Sequence, residues 1–287
     1  MERSIIRKDV TPEEAAAFLQ HNVNNRSLRQ TRVRAYAADM ERGMFRGDAV
    51  HIQFDTNGRL INGQHTCSAI VMSGITLRDV IVETGCDPQV SAYLDRGLPK
   101  NATDALAERG AVSASRTASI IRASLCLRDY PNTTWSGKDV GAITQALVVS
   151  EYESRPTEYD QETAYARQIH RHTFLSETAI GTLISHGRLY DDPEFLSFSD
   201  GLISGANLRE GDPRLALRSW IPRSHIGPTR GFSSTTQYRV ACVIKAWNAY
   251  MRGESLKILR WDFRALPMPE IIRPSSMEYV SSWVNQP

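Results

Sequence analysis

The sequence predicts an α+β fold in its first third and an all-α fold in the remainder. Up to about residue 101, short β-branched runs alternate with helical patterns and glycine-containing turns. From Ala102 onward the periodic segments have helical spacing. We therefore expect a small mixed sheet-and-helix domain over residues 1–101, followed by a helical domain over residues 102–287 that ends in an irregular tail.

Local signals predict the N-terminal elements. A helix begins at Thr11-Pro12-Glu13-Glu14, which combines an N-cap, a proline at the first helical position and a glutamate three residues after the cap. A second helix runs from Ser27 or Gln30 to Arg42, and Gly43 closes it. The predicted elements that follow are strands over 51–54 and 59–61 around an Asn-Gly turn, a helix over 66–72 and a strand over 77–83.

The second part of the chain is predicted to be a series of helices. They cover residues 103–109, 113–127, 138–150, 161–170, 176–185, 194–201, 213–220 and 238–252. Glycines, prolines and paired hydroxyl residues between 224 and 236 predict a mobile loop. Three prolines between 267 and 274 exclude regular structure there, so this stretch is expected to be extended or irregular.

Composition excludes several classes of protein. The chain has 287 residues and is 41% hydrophobic, which suffices to build a packed core. No run approaches the roughly 20 apolar residues of a membrane span, and the first eight residues are too charged for a secretory signal. We therefore expect a cytoplasmic protein with no membrane partner. The four cysteines form no CxxC pair, which argues against zinc and disulfides and predicts buried thiols, although Cys67 lies close to His65 and leaves a redox role open.

The formal net charge is only +2, but the charges are unevenly distributed. Residues 207–264 contain eleven basic side chains against four acidic ones, an excess that suits a surface contacting phosphates. Alternatively, these cations pair with the acidic stretch 151–162 or simply solvate helices. Both interpretations remain open at this point.

The segment around Gly63 is the strongest candidate for a functional site. Its pattern predicts a strand, a small-residue loop and a helix, which places Gly63, Gln64 and His65 at a helix N-terminus. Backbone N–H groups and the positive end of the helix dipole make such a position suitable for an anion. In the alternative interpretation, the glycine only supplies backbone freedom and His65 caps or packs.

Residues 58–66, Gly-Arg-Leu-Ile-Asn-Gly-Gln-His-Thr, resemble the GRLIDGQHR signature of DGQHR-type ParB-like proteins, a group with the ParB/sulfiredoxin fold found in actinobacteria and their phages. Residues 34–45, 94–106, 244–250 and 259–261 resemble further motifs of this group. Three positions depart from its pattern: Asn62 replaces an aspartate, and Thr66 and Lys100 each replace an arginine. These departures are compatible with an altered substrate or with a site that binds without catalysing.

The resemblance implies a nucleotide triphosphate, CTP or ATP with Mg²⁺, as cofactor. The residues expected to bind it are Asn62, Gly63, Gln64, His65, Thr66, Arg59 and Lys100. His65 and Asp95 are the candidate catalytic groups, and Asp95 is also the candidate metal ligand. Asp39, Asp104 and Arg34 are weaker candidates, because each is equally explained as a helix-surface charge.

The resemblance implies a phage or mobile-element protein of the bacterial cytoplasm that binds a nucleotide and acts on or beside DNA through its helical domain. One alternative is an enzyme: an NTPase or a nucleotide-dependent phosphotransferase acting on a nucleoside, a modified DNA base or a small hydroxyl substrate. Another is a binding protein with a decayed site. Whether the chain forms a homodimer is left open.

Overall fold

The computed structural model describes residues 2–23, 27–89, 101–135, 140, 142–225, 236–261 and 267–274. The chain is a mixed α+β protein, as the sequence predicts. It divides into two compact units: unit 1 comprises Met1–Asn101 with Val140–Leu147, and unit 2 comprises Ala102–Asp139 with Val148–Pro287. Among the described residues, no helix combines the length and the apolar character that a bilayer crossing requires.

Unit 1 contains a four-stranded sheet of mixed direction. In sequence order the strands are β1 (Ser4–Val10), β2 (His51–Asp55), β3 (Leu60–Asn62) and β4 (Leu77–Cys86). Their order across the sheet is β1-β4-β2-β3. The β2–β4 pair is parallel, whereas β1–β4 and β2–β3 are antiparallel. The parallel pair requires a crossover connection, which contains the helix after β3.

Three helices pack with this sheet: α1 (Pro12–Gln20), α2 (Gln30–Glu41) and α3 (Gln64–Ser73). A short 3₁₀ helix, Gly47–Ala49, precedes β2. The predicted capping box at Thr11 and Glu14 is present at the start of α1. The core joins Ile52 and Val82 of the sheet to Ile70 of α3, and α3 contacts both α1 and α2. This packing determines where the N-terminus of α3 lies.

The sequence predicts no strand before α1, yet β1 forms there. Its residues pair with β4 from Ser4 opposite Thr84 to Val10 opposite Leu77. Only Val10 is fully buried, and the adjacent Ile5 and Ile6 are 60% and 50% exposed. The strand therefore lacks the alternation of buried and exposed residues that marks a half-buried strand, and its pairing with a distant segment is what creates it.

Unit 2 is helical in its described residues. The helices are α4 (Ala102–Glu108), α5 (Ala114–Asp129), α6 (Gln145–Ser154, whose first residues belong to unit 1), α7 (Pro156–Thr173), α8 (Glu177–Gly187), α9 (Pro193–Ser204), α10 (Pro213–His225) and α11 (Thr236–Met251). The buried α8 contacts α5, α7 and α11. Residues 267–274 are irregular, as predicted, and are bonded to α11 through Trp247 and Asn248.

Several predicted boundaries are wrong. The helix expected over 138–150 begins at Gln145, where the Thr144 hydroxyl accepts a hydrogen bond from the Leu147 amide. The helix expected over 161–170 spans Pro156–Thr173, because Pro156 provides an earlier start. The predicted mobile loop over 224–236 falls outside the described residues except at its ends.

Candidate functional site at the β3–α3 corner

Residues 62–66 form the corner at which β3 turns into α3. Gly63 is the N-cap of α3 and has a φ of +103°. A Cβ atom at this position would also lie 2.9 Å from Cγ1 of Ile52, closer than such contacts allow. Both the backbone conformation and the contact with β2 therefore require glycine.

The helix begins at the corner without a side-chain cap. Its first backbone hydrogen bond runs from the Cys67 amide to the Gly63 carbonyl, so the amides of residues 64–66 precede the intrahelical ladder. The positive end of the α3 dipole lies at the same position. These are the backbone features that the sequence interpretation requires of an anion site, whereas Gln64, His65 and Thr66 are all buried.

The Gln64 and His65 side chains point into unit 1. Both are almost fully buried. Asn22 Nδ2 donates to Gln64 Oε1 at 3.1 Å, and the Arg29 amide donates to His65 Nε2 at 3.1 Å. Because Nε2 accepts a hydrogen bond here, it carries no proton in this arrangement. The two side chains therefore connect the start of α3 to the segment between α1 and α2.

Cys67 lies one turn into α3 and is fully buried. Burial raises the pKa of its thiol to about 12. The thiol is therefore protonated near neutral pH, and since the thiolate is the reactive form, this environment weighs against a redox role.

Arg59 lies in the turn between β2 and β3, where it pairs with Asp55. The guanidinium Nε donates to Asp55 Oδ2 at 2.7 Å, and the Asn57 and Arg59 amides donate to Oδ1 at 2.9 Å each. Burial raises the pKa of Asp55, but these hydrogen bonds and the charge of Arg59 outweigh it and hold the pKa below its usual value. Arg59 thus stabilises the hairpin turn through an ion pair.

Asp95 and Lys100 lie outside the described residues. Their predicted roles as catalytic carboxylate, metal ligand and phosphate-binding cation stay predictions. In the part of the chain that the structure describes, no group of three or more His, Cys, Asp or Glu residues is arranged to hold a metal ion.

The weaker candidates lie elsewhere. Asp39 is buried on α2 and accepts a 2.6 Å hydrogen bond from the Thr144 hydroxyl. Burial raises the pKa of Asp39 despite this bond and the nearby charge of Arg42. Asp39 therefore anchors residues 140–147 within unit 1. Arg34 is exposed on α2, and Asp104 lies in the first turn of α4.

A polar cluster around the buried Gln53 and Glu83 adjoins the corner and was not predicted from the sequence. We call it the Glu83 cluster, and its members are Arg3, His51, Gln53, Asn62 and Glu83. Asn62 Nδ2 donates to Gln53 Oε1 at 3.2 Å, and Gln53 Nε2 donates to Glu83 Oε2 at 2.9 Å. Arg3 Nε donates to Glu83 Oε1 at 2.7 Å, and His51 Nε2 lies 2.8 Å from Glu83 Oε2.

Strand register explains how the Glu83 cluster forms. Gln53 lies opposite Glu83 on β4 and opposite Asn62 on β3. Both Gln53 and Glu83 alternate with apolar residues of the core, so they occupy the other face of the sheet. A register shift between Gln53 and Phe54 brings Asn62 onto that same face. A sequence signal for the cluster did exist, because the polar Gln53 and Glu83 directly follow the apolar Ile52 and Val82 within predicted strands.

Glu83 is only 2% exposed, so its carboxylate depends on its neighbours. Burial raises its pKa, but the hydrogen bonds from Gln53 and Arg3 and the charges of Arg3 and His51 outweigh that effect. The net pKa lies below its usual value. Glu83 is thus an ionised carboxylate connected to Asn62, and hence to the β3–α3 corner, through Gln53.

Among the described residues, three of the basic side chains of 207–264 form ion pairs within this region. Arg214 pairs with Asp212, Lys257 with Glu210 and Arg252 with Glu254. None of these three pairs involves the acidic stretch 151–162. The predicted pairing with that stretch is therefore wrong for Arg214, Lys257 and Arg252. The side chains of Arg209, Arg239 and Arg260 form no ion pair or hydrogen bond with described residues.

Comparisons of the chain with models of protein families, with curated proteins and with solved structures find no match. The resemblance to ParB-like proteins therefore stays a prediction that depends on the motif residues.

We predict that Glu83→Gln changes the pH dependence of stability. Because the folded pKa of Glu83 is lowered, its ionised form stabilises the fold above the unfolded pKa, and this contribution is lost as pH falls through the folded value. Near pH 6 the substitution should cost about 1–3 kcal/mol, the scale of a lost charge-assisted hydrogen bond. Urea unfolding at about pH 6 and about pH 3.5 should show a smaller acid-induced loss in the variant than in the wild type.

The control is Glu41→Gln, which removes an exposed carboxyl from α2 in the same unit. It should leave the acid-induced loss close to that of the wild type. Identical losses in wild type and Glu83→Gln would contradict the assigned role of Glu83.

Proposed function

We propose that this chain is a nucleotide-binding protein whose unit 1 holds a phosphate group at the N-terminus of α3. The observation that carries the proposal is the β3–α3 corner itself. A helix starts there at a glycine of positive φ, with no side-chain cap, and its dipole favours an anion. The resemblance of residues 58–66 to the GRLIDGQHR signature supports the same assignment.

The surroundings of the corner support a phosphate bound by main-chain amides. The Gln64 and His65 side chains are directed towards Asn22 and Arg29. Thr66, in the first turn of α3, supplies a hydroxyl where the resembling proteins have a guanidinium. Asn62 connects the corner to the Glu83 cluster, a source of polar groups for the rest of a nucleotide. We propose CTP or ATP as the ligand and leave transfer chemistry aside, because Asp95 lies outside the described residues.

Substitutions of Thr66 should change nucleotide binding in opposite directions. Thr66→Glu places a negative charge beside the proposed phosphate and should abolish saturable retention of labelled CTP and ATP on filters. Thr66→Arg adds a charge-assisted donor worth about 1.5–3 kcal/mol and should tighten binding roughly tenfold or more. Release of ADP or inorganic phosphate in the same samples would extend the proposal to catalysis.

The control is Met72→Glu, which adds the same charge on the same helix about 9 Å further along the axis, at a half-exposed position, whereas Thr66 is buried. It should bind as the wild type does. Thermal unfolding of each variant confirms that it is folded. The proposal fails if the wild type shows no saturable retention, or if all three variants retain nucleotide equally.

We further propose that unit 2 contacts DNA through residues 207–264. The excess of basic over acidic side chains in this stretch carries the proposal, and Arg209, Arg239 and Arg260 are its test residues because their guanidinium groups have no partner among the described residues. Such side chains can bind phosphates without first breaking an ion pair.

Replacing Arg209, Arg239 and Arg260 together by glutamine should weaken duplex DNA binding and make it less dependent on salt. Each lost phosphate contact should reduce the slope of log K against log salt by about 0.9. Fluorescence anisotropy at several salt concentrations measures this. The control replaces Arg167, Arg171 and Arg188, three arginines of unit 2 outside this region, and should leave the slope unchanged. Equal slopes for the two triple variants would contradict the proposal.

A further inference from the structure

A second candidate ligand site lies in unit 2. A cavity of about 380 Å³ lies where the C-terminal ends of α5 and α8 meet residues 268–273, and we call it the His186 cavity. Its volume falls within the range typical of small-molecule sites. The lining residues on which the argument depends are Arg128, His186, Glu270 and Arg273.

The wall formed by residues 267–274 is held by hydrogen bonds. The Met268 amide donates to the Pro131 carbonyl at 2.9 Å, and Trp247 Nε1 donates to the Ile272 carbonyl at 2.8 Å. The Asn248 side chain donates to the Glu270 carbonyl at 2.7 Å and accepts from the Ile272 amide at 3.0 Å. The backbone that carries Arg273 is thus fixed at the edge of the cavity.

Three basic side chains line the cavity: Arg128, His186 and Arg273. Helix dipoles account for the positions of the first two. Arg128 and His186 lie in the last turns of α5 and α8, where the negative end of a helix dipole favours cations. Arg128 also pairs with Asp129 and, at 3.4 Å, with Glu151. Arg273 differs, because it lies in no helix and forms no ion pair or hydrogen bond with described residues.

The electrostatic environment of His186 reflects this arrangement. Burial lowers the pKa of His186, and the charges of Arg273 and Arg128 lower it further. The hydrogen bond to the Ser124 backbone and the charge of Asp129 act in the opposite direction without offsetting them. Glu270, the carboxylate among the lining residues, is exposed. Among the lining residues Arg128 and Arg273 thus face one carboxylate, while Asp129 and Glu151 pair with Arg128 from outside the lining.

We propose that the His186 cavity binds the phosphate group of a small molecule between Arg128, His186 and Arg273. Guanidinium groups match phosphate oxygens through paired hydrogen bonds, and an anion there offsets the charges of Arg128 and Arg273 that disfavour protonation of His186. The volume leaves room for an attached organic group beyond the phosphate. This site is independent of the nucleotide site proposed in unit 1.

The His186 imidazole reports directly on occupancy of the cavity. Proton NMR of the 287-residue chain should follow the imidazole titration in chloride, inorganic phosphate and adenosine 5′-monophosphate at equal ionic strength. The His186 resonance is identified by its absence in His186→Gln. A bound phosphate stabilises the imidazolium, so both phosphate compounds should shift the titration of His186 to higher pH. Tighter binding of the monophosphate than of inorganic phosphate identifies an organic ligand, and equal binding identifies free phosphate.

Arg273→Gln tests the contribution to phosphate binding of the arginine that lies in no helix and has no partner among the described residues. It should weaken phosphate binding about tenfold or more, the effect of losing one charge-assisted interaction. Arg171→Gln, an exposed arginine of α7 outside the cavity lining, is the control and should titrate as the wild type does. Thr66→Glu should also leave the His186 response intact, which separates this site from the one in unit 1.

Two results would overturn the proposal. One is a His186 titration that is the same in chloride and in both phosphate compounds. The other is a phosphate response that is equal in Arg273→Gln and in the wild type.

Discussion

The contact between Gly63 and Ile52 is the constraint on which the candidate site depends. Gly63 adopts a φ of +103°, and any side chain there would collide with the Ile52 side chain of β2. Because glycine allows this backbone conformation, the chain turns from β3, at the edge of the sheet, into α3 within one residue. Because α3 packs against both α1 and α2, this single turn fixes the N-terminus of α3 beside the sheet.

Two sets of hydrogen bonds stabilise the corner from different directions. On one side, Gln64 and His65 engage Asn22 and the Arg29 amide, and so connect α3 to the segment between the first two helices. On the other, Asn62 connects through Gln53 to the ionised Glu83. The free-energy cost of burying these polar groups is offset because each has hydrogen-bond partners, and the start of α3 therefore lies in a polar environment.

Much of unit 1 was predictable because its signals are local. Thr11 with Glu14 specifies a helix start, Asn57-Gly58 a turn, and Gly63 a strand-to-helix corner, and each depends on residues a few positions apart. The Glu83 cluster was not predictable in this way, since it depends on strand pairing and on a register shift between Gln53 and Phe54. β1 was missed for the same reason: its paired residues on β4 lie 67 to 80 positions further along the chain. The buried Asp39, bonded to Thr144 from a distant segment, is a further long-range contact of this kind.

The most direct test of the central claim is a titration of the isotope-labelled chain with CTP or ATP, followed through the backbone amide resonances of Gln64, His65 and Thr66. A phosphate bound at the N-terminus of α3 should shift these amides together, saturably and more than the amides at the C-terminal end of the same helix. If the three resonances stay in place while nucleotide binds elsewhere, or if no resonance responds to either nucleotide, the β3–α3 corner is a structural turn and not a ligand site.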